Sequence, residues 1–271
     1  MRPEAVQEAD HVGQIVKNLS NSVHKILTWQ GDKPAARIQE EARKARYGLM
    51  AEYCAAQGIA HLFLAHHADD QAETVLFRLA KGSGLDGLGG MRAAQNYNDD
   101  LTLIRPLLNI EKSRLIATCR HHDLAAIDDP TNFCTDYARP RLRAAREVLE
   151  EEGLSTKRLA TTAYRLQRAR AALDDVTDIV FRDAQSSGSD DGALQLDWAI
   201  LQTQPEEIAL RVIIQSIQSL KPDADYLPRM EKIEALLYDL FHEESFRKRT
   251  LGGLVFARDD KTQMLLIKGE R

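Results

Sequence analysis

A short apolar segment at residues 61–65 (HLFLA) constrains the fold most, because it lies between two stretches of helical periodicity. Residues 37–57 carry apolar side chains at three- and four-residue spacing and end at Gly58, which predicts a helix. Residues 69–81 form a second such stretch, which ends at Gly82. A short apolar run bounded in this way is typical of a buried parallel strand. The helix–strand–helix order predicts an α/β fold, with a further strand at 102–107 and a helix at 110–123.

The sequence pattern predicts that the second half of the chain is mainly helical. From residue 139 onward the pattern is helical, and apolar side chains recur every seven residues at Leu159, Leu166, Leu173 and Val180, which indicates a packing seam. A linker is predicted at 186–192, helices at 205–220 and 228–242, and a β-hairpin from 250–257 and 264–268. We therefore expect one domain at 1–150 and a helical one at 151–271, ending in the hairpin.

Composition narrows the classes of protein. The 271 residues have a net charge of −5, which argues against a generally basic nucleic-acid binder but leaves room for a local basic surface. Three dispersed cysteines without a CxxC pattern suggest neither a disulfide framework nor a zinc site, so a cytoplasmic protein is expected. No apolar run approaches the ~20 residues of a membrane helix.

The chemistry concentrates in residues 65–91 (AHHADDQAETVLFRLAKGSGLDGLGGM). Ligands of open α/β sheets bind at the carboxyl ends of strands, and there Asp69 and Asp70 could hold Mg²⁺ with waters and phosphates. Glu73 shares a helical face with Asp70, and the glycines of 82–90 permit close approach to a phosphate. Three other interpretations remain open: a helix cap, glycines that only shape a loop, and a metal hydrolase that uses His66, His67, Asp69 and Asp70.

This whole run resembles the signature of the tRNA(Ile)-lysidine synthetases, which belong to the N-type ATP-pyrophosphatases. The flanks are similar too. Residues 38–47 resemble the family's IQxxARxxRY helix, residues 105–108 its RPLL segment, and residues 129–143 its DPSN…(F/Y)xRxxxR stretch.

The resemblance implies a doubly wound parallel sheet followed by a helical domain, and an ATP-dependent ligase. In such enzymes ATP adenylates the C2 oxygen of the wobble cytidine of an isoleucine tRNA, and the ε-amine of L-lysine displaces AMP. The implied cofactors are ATP and Mg²⁺, and a homodimer is a further expectation. The implied catalytic residues are His67, Asp69, Asp70 and Lys81, with Asp69 and Asp70 holding Mg²⁺ or the lysine ammonium. The residues implied in substrate or tRNA binding are Arg43, Arg46, Glu73, Gly82, Gly84, Asn132, Arg139 and Arg143.

The family's SGGxDS loop is not found in the 271 residues. We therefore expect an N-terminally truncated sheet without the pyrophosphate grip, and keep a catalytically inactive tRNA-binding remnant as an alternative. Residues 139–170 carry nine basic and four acidic side chains, which favours either a track for the tRNA backbone or an ordinary charged helix face.

Overall fold

The structure is a computed structural model that describes residues 5–19, 21–31, 38–124, 141–142, 145–186, 192–222, 224, 226–246 and 248–270. The chain divides into two compact units, Met1–Gln167 and Arg168–Arg271. The first contains α1 (Ala5–Lys17), α2 (Ile38–Ala56), β1 (His61–Phe63), α3 (Ala68–Leu79), α4 (Leu85–Leu88), β2 (Ala94–Asn96), β3 (Thr102–Ile104), α5 (Lys112–His121), α6 (Arg146–Glu151) and the start of α7 (Thr156–Ala184).

A three-stranded sheet of order β1-β3-β2 organises the first unit. Strands β1 and β3 are parallel, with Leu62 opposite Leu103, and β2 pairs with β3 in antiparallel fashion. Because β1 and β3 are parallel, the segments that follow them, at Leu64 and Arg105, leave the same edge of the sheet. The expected α/β fold with parallel strands, followed by a helical region, is confirmed, and the antiparallel strand β2 is an addition that the sequence did not predict.

Helix α3 is fixed by contacts on two sides. Its buried Ala72 and Val75 pack against Leu159 and Ala163 of α7. Its first amide, that of Ala68, donates to the carbonyl of Ile110 at 3.0 Å. Helix α3 therefore sits in a defined orientation at the carboxyl edge of β1.

The second unit contains β4 (Leu194–Asp197), β5 (Arg249–Leu251), β6 (Leu254–Asp259) and β7 (Met264–Gly269). They form an antiparallel sheet of order β4-β7-β6-β5 with one apolar core. The predicted hairpin is present, but its predicted first strand, 250–257, is wrong as one continuous strand. The chain turns at Gly252 and Gly253, both at positive φ, and the segment forms the two paired strands β5 and β6. Strand β4 was not predicted. Residues fully enclosed there include Phe256, Leu265 and Ile267. Its described helices are the end of α7, α8 (Trp198–Leu201), α9 (Glu206–Leu220) and α10 (Met230–His242).

The predicted seven-residue seam lies on the single helix α7, which is 29 residues long. Leu159 packs in the first unit, whereas Val180 and Leu173 belong to the core of the second. The seam therefore packs within each unit separately.

Candidate functional site at the start of helix α3

The first turn of α3 gathers the acidic residues of the motif at the carboxyl edge of β1. His67 precedes the helix in an extended conformation, and its backbone N–H donates to Oδ2 of Asp70 at 3.0 Å. This is a helix cap, because the carboxylate three residues into the helix satisfies an amide that has no helical partner. The capping interpretation is thus correct for Asp70, whose side chain still remains 26% exposed.

Asp69, its neighbour, is enclosed and holds two donors. Its Oδ2 accepts the backbone N–H of Lys112 at 2.8 Å, and its Oδ1 accepts Nη1 of Arg146 at 2.5 Å. The Asp69 side chain is only 8% exposed, whereas that of Arg146 is 49% exposed. Asp69 therefore ties the start of α3 to the start of α5 and to α6.

Arg146 is itself held by three acceptors. Besides Asp69 it donates to Glu150 at 2.9 Å and to Oγ1 of Thr156 at 3.1 Å. The hydrogen bond to Glu150, assisted by Asp69, raises the pKa of the guanidinium, which stays charged. The guanidinium is thus a fixed cation at the edge of the site.

The same contacts set the charge of Asp69. Burial raises the pKa of the Asp69 carboxyl, but the Lys112 amide, the Arg146 guanidinium and His67 together lower it by more, so the pKa lies below its usual range. Asp69 is therefore an anion near neutral pH.

A pocket of about 240 Å³ opens beside this network. Its lining combines leucines, among them those of α3, α6 and α7, with three carboxylates and two cations. The lining residues are His67, Asp69, Ala72, Glu73, Leu76, Lys112, Leu142, Arg146, Leu149, Glu150, Leu154, Thr156 and Leu159. An apolar wall with a few charged groups suits a ligand that has an aliphatic part and a charged end.

The structure brings some of the predicted site residues together and separates others. His67, Asp69 and Glu73 line the pocket, and Asp70 caps the same helix. Lys81 lies beyond the far end of α3, which at 1.5 Å per residue is about 18 Å long, and its Nζ is 5.9 Å from the ring centroid of Phe77.

The remaining predicted residues lie elsewhere or outside the described part. Arg43 and Arg46 are exposed on α2, and the Arg43 guanidinium lies 4.9 Å from the ring centroid of Tyr47. Gly82 and Gly84 are exposed in the loop after α3. Asn132, Arg139 and Arg143 lie outside the described residues.

Side chains hold the carbonyl groups of the glycine-rich loop. Gln71 is bonded in both directions to the backbone of Met91, at 2.9 and 2.8 Å. Arg78 donates to the carbonyls of Gly87 and Gly90, and Gln167 donates to those of Gly89 and Met91. This part of the loop is therefore a packed structural element on α3 and α7.

Sequence reasoning missed several residues of the site. Arg146 was one of nine basic residues in a helical stretch, and nothing in the pattern distinguished it. Gln71 and Gln167 are ordinary helical glutamines by sequence, although Gln71 falls inside the recognised run. Their roles depend on partners far away in the chain.

The chain is similar to known proteins over most of its length. The family model described as PP-loop domain matches residues 1–152. A tRNA(Ile)-lysidine synthase of Methylobacterium nodulans is 41% identical over 88% of this chain and 70% of its own length. That of a Bradyrhizobium species is 40% identical over 94% and 70%, and that of Wolbachia pipientis is 33% identical over 100% and 62%.

The metal-hydrolase alternative is not favoured. Within the described residues, no group of three or more His, Cys, Asp and Glu side chains is arranged to hold a metal ion, and the curated relatives carry the name of a ligase. None of the described helices combines the length and apolarity that crossing a membrane requires.

Proposed function

This chain belongs to the tRNA(Ile)-lysidine synthase family, and we propose that it joins L-lysine to the wobble cytidine of an isoleucine tRNA at the expense of ATP. Membership of the PP-loop group implies the use of ATP. The tRNA substrate follows from the names of the relatives. The observation that carries the proposal within this chain is the half-apolar, acid-lined pocket beside the first turn of α3.

The pocket has the chemistry that a lysine side chain requires. Lysine presents four methylene groups and a strongly hydrated ammonium. Leu76, Leu149 and Leu159 offer an apolar wall for the methylenes, and Glu73 is a carboxylate of the same pocket that can receive the ammonium. A carboxylate in the pocket also favours a cationic side chain over a neutral one, because only the cation forms a charge-assisted hydrogen bond with it.

The carboxylates divide into two roles. Asp69 already accepts from the Lys112 amide and from Arg146, so it orients the helix start. Asp70 is partly exposed, and Glu73 lies three residues further along the same helix face. We therefore assign Asp70 and Glu73 to the substrate side. His67 and Glu73 line the pocket as acceptors for the proton that the ε-amine loses before it attacks the activated C2 carbon and displaces AMP.

Asp70, with its neighbour Asp69, is also the proposed site for Mg²⁺. Mg²⁺ takes one or two protein carboxylates and completes its shell with waters and substrate phosphates, so the absence of a three-ligand cluster among the described residues is compatible with it. When bound, Mg²⁺ would neutralise the charge of the ATP phosphates. Of the two carboxylates, Asp70 fits better because it is the more exposed.

The remaining predicted residues are proposed contacts of the tRNA. Arg43 and Arg46 lie exposed on α2 and can donate to phosphate oxygens. Lys81, Gly82 and Gly84 lie at the far end of α3, exposed to solvent, so a large substrate could contact them.

A homodimer remains part of the proposal. It is supported by β1, which is an outer strand of the described sheet, and by Phe63, which is 65% exposed. Outer strands readily pair with another chain. Sedimentation analysis of the protein would give twice the monomer mass if the proposal is correct, and the monomer mass at all concentrations if it is not.

The test of the proposed function is incorporation of labelled lysine into unmodified isoleucine tRNA with ATP and Mg²⁺. Glu73→Gln removes the pocket carboxylate with little change of shape, and we expect a large rise in the KM for lysine. Glu52→Gln, an exposed residue of α2, is the matched control and should leave the KM unchanged. An unaltered KM of the Glu73→Gln protein would refute the proposed lysine pocket. Failure of the wild-type protein to attach lysine would refute the proposed function.

A further inference from the structure

The first turns of helix α7 have two opposite faces. Thr156, Leu159 and Ala163 are buried, and Thr156 and Leu159 line the candidate pocket. At 3.6 residues per turn, the side chains of the opposite face fall within an arc of about 120°. They are all exposed, and they are Lys157, Arg158, Thr161, Tyr164 and Arg165.

The charge of this face is of one sign. No Asp or Glu occurs from residue 153 to residue 173. Helix α10, by contrast, mixes signs on its exposed side, with Glu231, Lys232 and Glu234. Mixed signs are the ordinary pattern for a solvated helix face, so a face with only positive charge indicates an anionic partner.

An exposed aromatic residue belongs to the cationic face, beside Arg165 and at one edge of the arc. Tyr164 is 58% exposed, although a tyrosine can bury most of its ring when it serves only packing. Tyrosine rings between basic residues are a common arrangement for RNA, in which the cations contact phosphates and the ring stacks on an unpaired base.

We propose that Lys157, Tyr164 and Arg165 form an RNA-docking face that leads the tRNA backbone to the pocket. The face begins at the helix turn whose other side lines the pocket, and Lys157 and Arg165 are about 12 Å apart along the helix axis. The phosphates of the tRNA contact Lys157 and Arg165, and an unstacked base lies on Tyr164. This inference rests on the proposed function, because it assumes a tRNA partner.

One basic residue of this face also has a structural contact. Arg158 donates to the carbonyl of Gly153 at 3.1 Å, so its substitution would also disturb the turn before α7. Lys157 and Arg165 are therefore the better residues to change.

The test is binding of a labelled isoleucine tRNA transcript by the protein over a series of salt concentrations. For Lys157→Gln with Arg165→Gln, the loss of two phosphate contacts should reduce the slope of log affinity against log salt by about 1.4 to 1.8. Taken from equal affinity at about 1 M salt, where phosphate contacts are screened, this change of slope lowers the affinity at about 0.1 M salt by about 25- to 60-fold. Tyr164→Leu should weaken binding at least about fivefold without changing the slope, because stacking releases no counterions.

The control removes the same charge elsewhere. Arg229→Gln with Lys232→Gln takes two exposed cations from the start of α10, where acids lie beside them. It should leave both affinity and slope within twofold of wild type. Equal losses in both double variants would overturn the proposal, because only net charge would then matter.

Other outcomes are also decisive. Wild-type binding of tRNA that Lys157→Gln with Arg165→Gln does not alter would overturn this face and leave the proposed function standing. No tRNA binding by the wild-type protein would overturn both. Binding of the chain to anionic phospholipid vesicles that is lost in the double variant, while tRNA binding persists, would assign the face to a membrane surface and overturn the proposal.

Discussion

The tie between Asp69 and Arg146 should hold the start of α3 in place, and replacing either residue should weaken the first unit. Asp69→Asn keeps an oxygen for the Lys112 amide but loses the charge that Arg146 contacts. Hydrogen bonds to charged groups contribute about 1.5–3 kcal/mol and neutral ones about 0.5–1.5. Because the Arg146 side chain is 49% exposed, solvent screens the pair and the lower part of that range applies. We expect Asp69→Asn to cost about 2 kcal/mol.

The double-mutant cycle with Arg146→Gln isolates the pair. That single variant leaves the Asp69 charge enclosed with only the Lys112 amide, and should cost about 1–2 kcal/mol. The double variant should be less destabilised than the sum by about 1 kcal/mol.

Unfolding in urea measures these free energies. The two compact units can unfold in separate transitions, so a Trp198→Phe background is useful, because it leaves Trp29 of the first unit as the sole tryptophan. Asp99→Asn, an exposed change in the β2–β3 turn, should stay within about 0.5 kcal/mol of the parent. Strictly additive effects of the Asp69 and Arg146 substitutions would refute the reasoning, as would an Asp69→Asn protein as stable as the control.

Three further outcomes are expected. The pKa of Asp69 is lowered in the folded protein, so its contribution to the free energy of unfolding is complete above about pH 4 and is lost as pH falls through the folded pKa. Acid unfolding followed by fluorescence should therefore occur at higher pH when Arg146 is absent. Gly90→Ala should cost about 2–4 kcal/mol of stability, because φ is +68° and the added methyl would meet a buried glutamine amide at 2.7 Å. Gly82→Ala, where φ is +71° but the space is open, should cost only about 1 kcal/mol. Equal shifts of Tm in the two variants would contradict this. Leu265→Ala in the core of the second unit should cost about 2–5 kcal/mol in urea unfolding and the exposed Leu79→Ala under 1 kcal/mol, and similar losses would argue against the assigned core.

Much of the fold could be read from local pattern. The order of helix, short apolar strand and helix across residues 38–79 follows from periodicity and from glycines that end helices. The hairpin predicted at 250–257 and 264–268 follows from apolar strands around a polar turn, although the break of its first strand at Gly252 and Gly253 was missed. The family resemblance drawn from residues 65–91 is confirmed by the PP-loop match and by the relatives. Strands β2 and β4 were missed, because segments of three and four residues acquire strand structure from the neighbour that they pair with.

The sequence by itself determined where histidines and acids concentrate, since their run follows a strand and opens a helix. Only the tertiary structure decided how those residues divide the work. Adjacent helical residues point about 100° apart, so Asp69 faces inward while Asp70 reaches back to cap the helix. The partners of Asp69 lie 43 and 77 residues away in the chain. Burial and pairing at that separation depend on packing of whole elements, which no local pattern encodes, and for that reason two neighbouring aspartates that look equivalent in sequence have different roles in the folded protein.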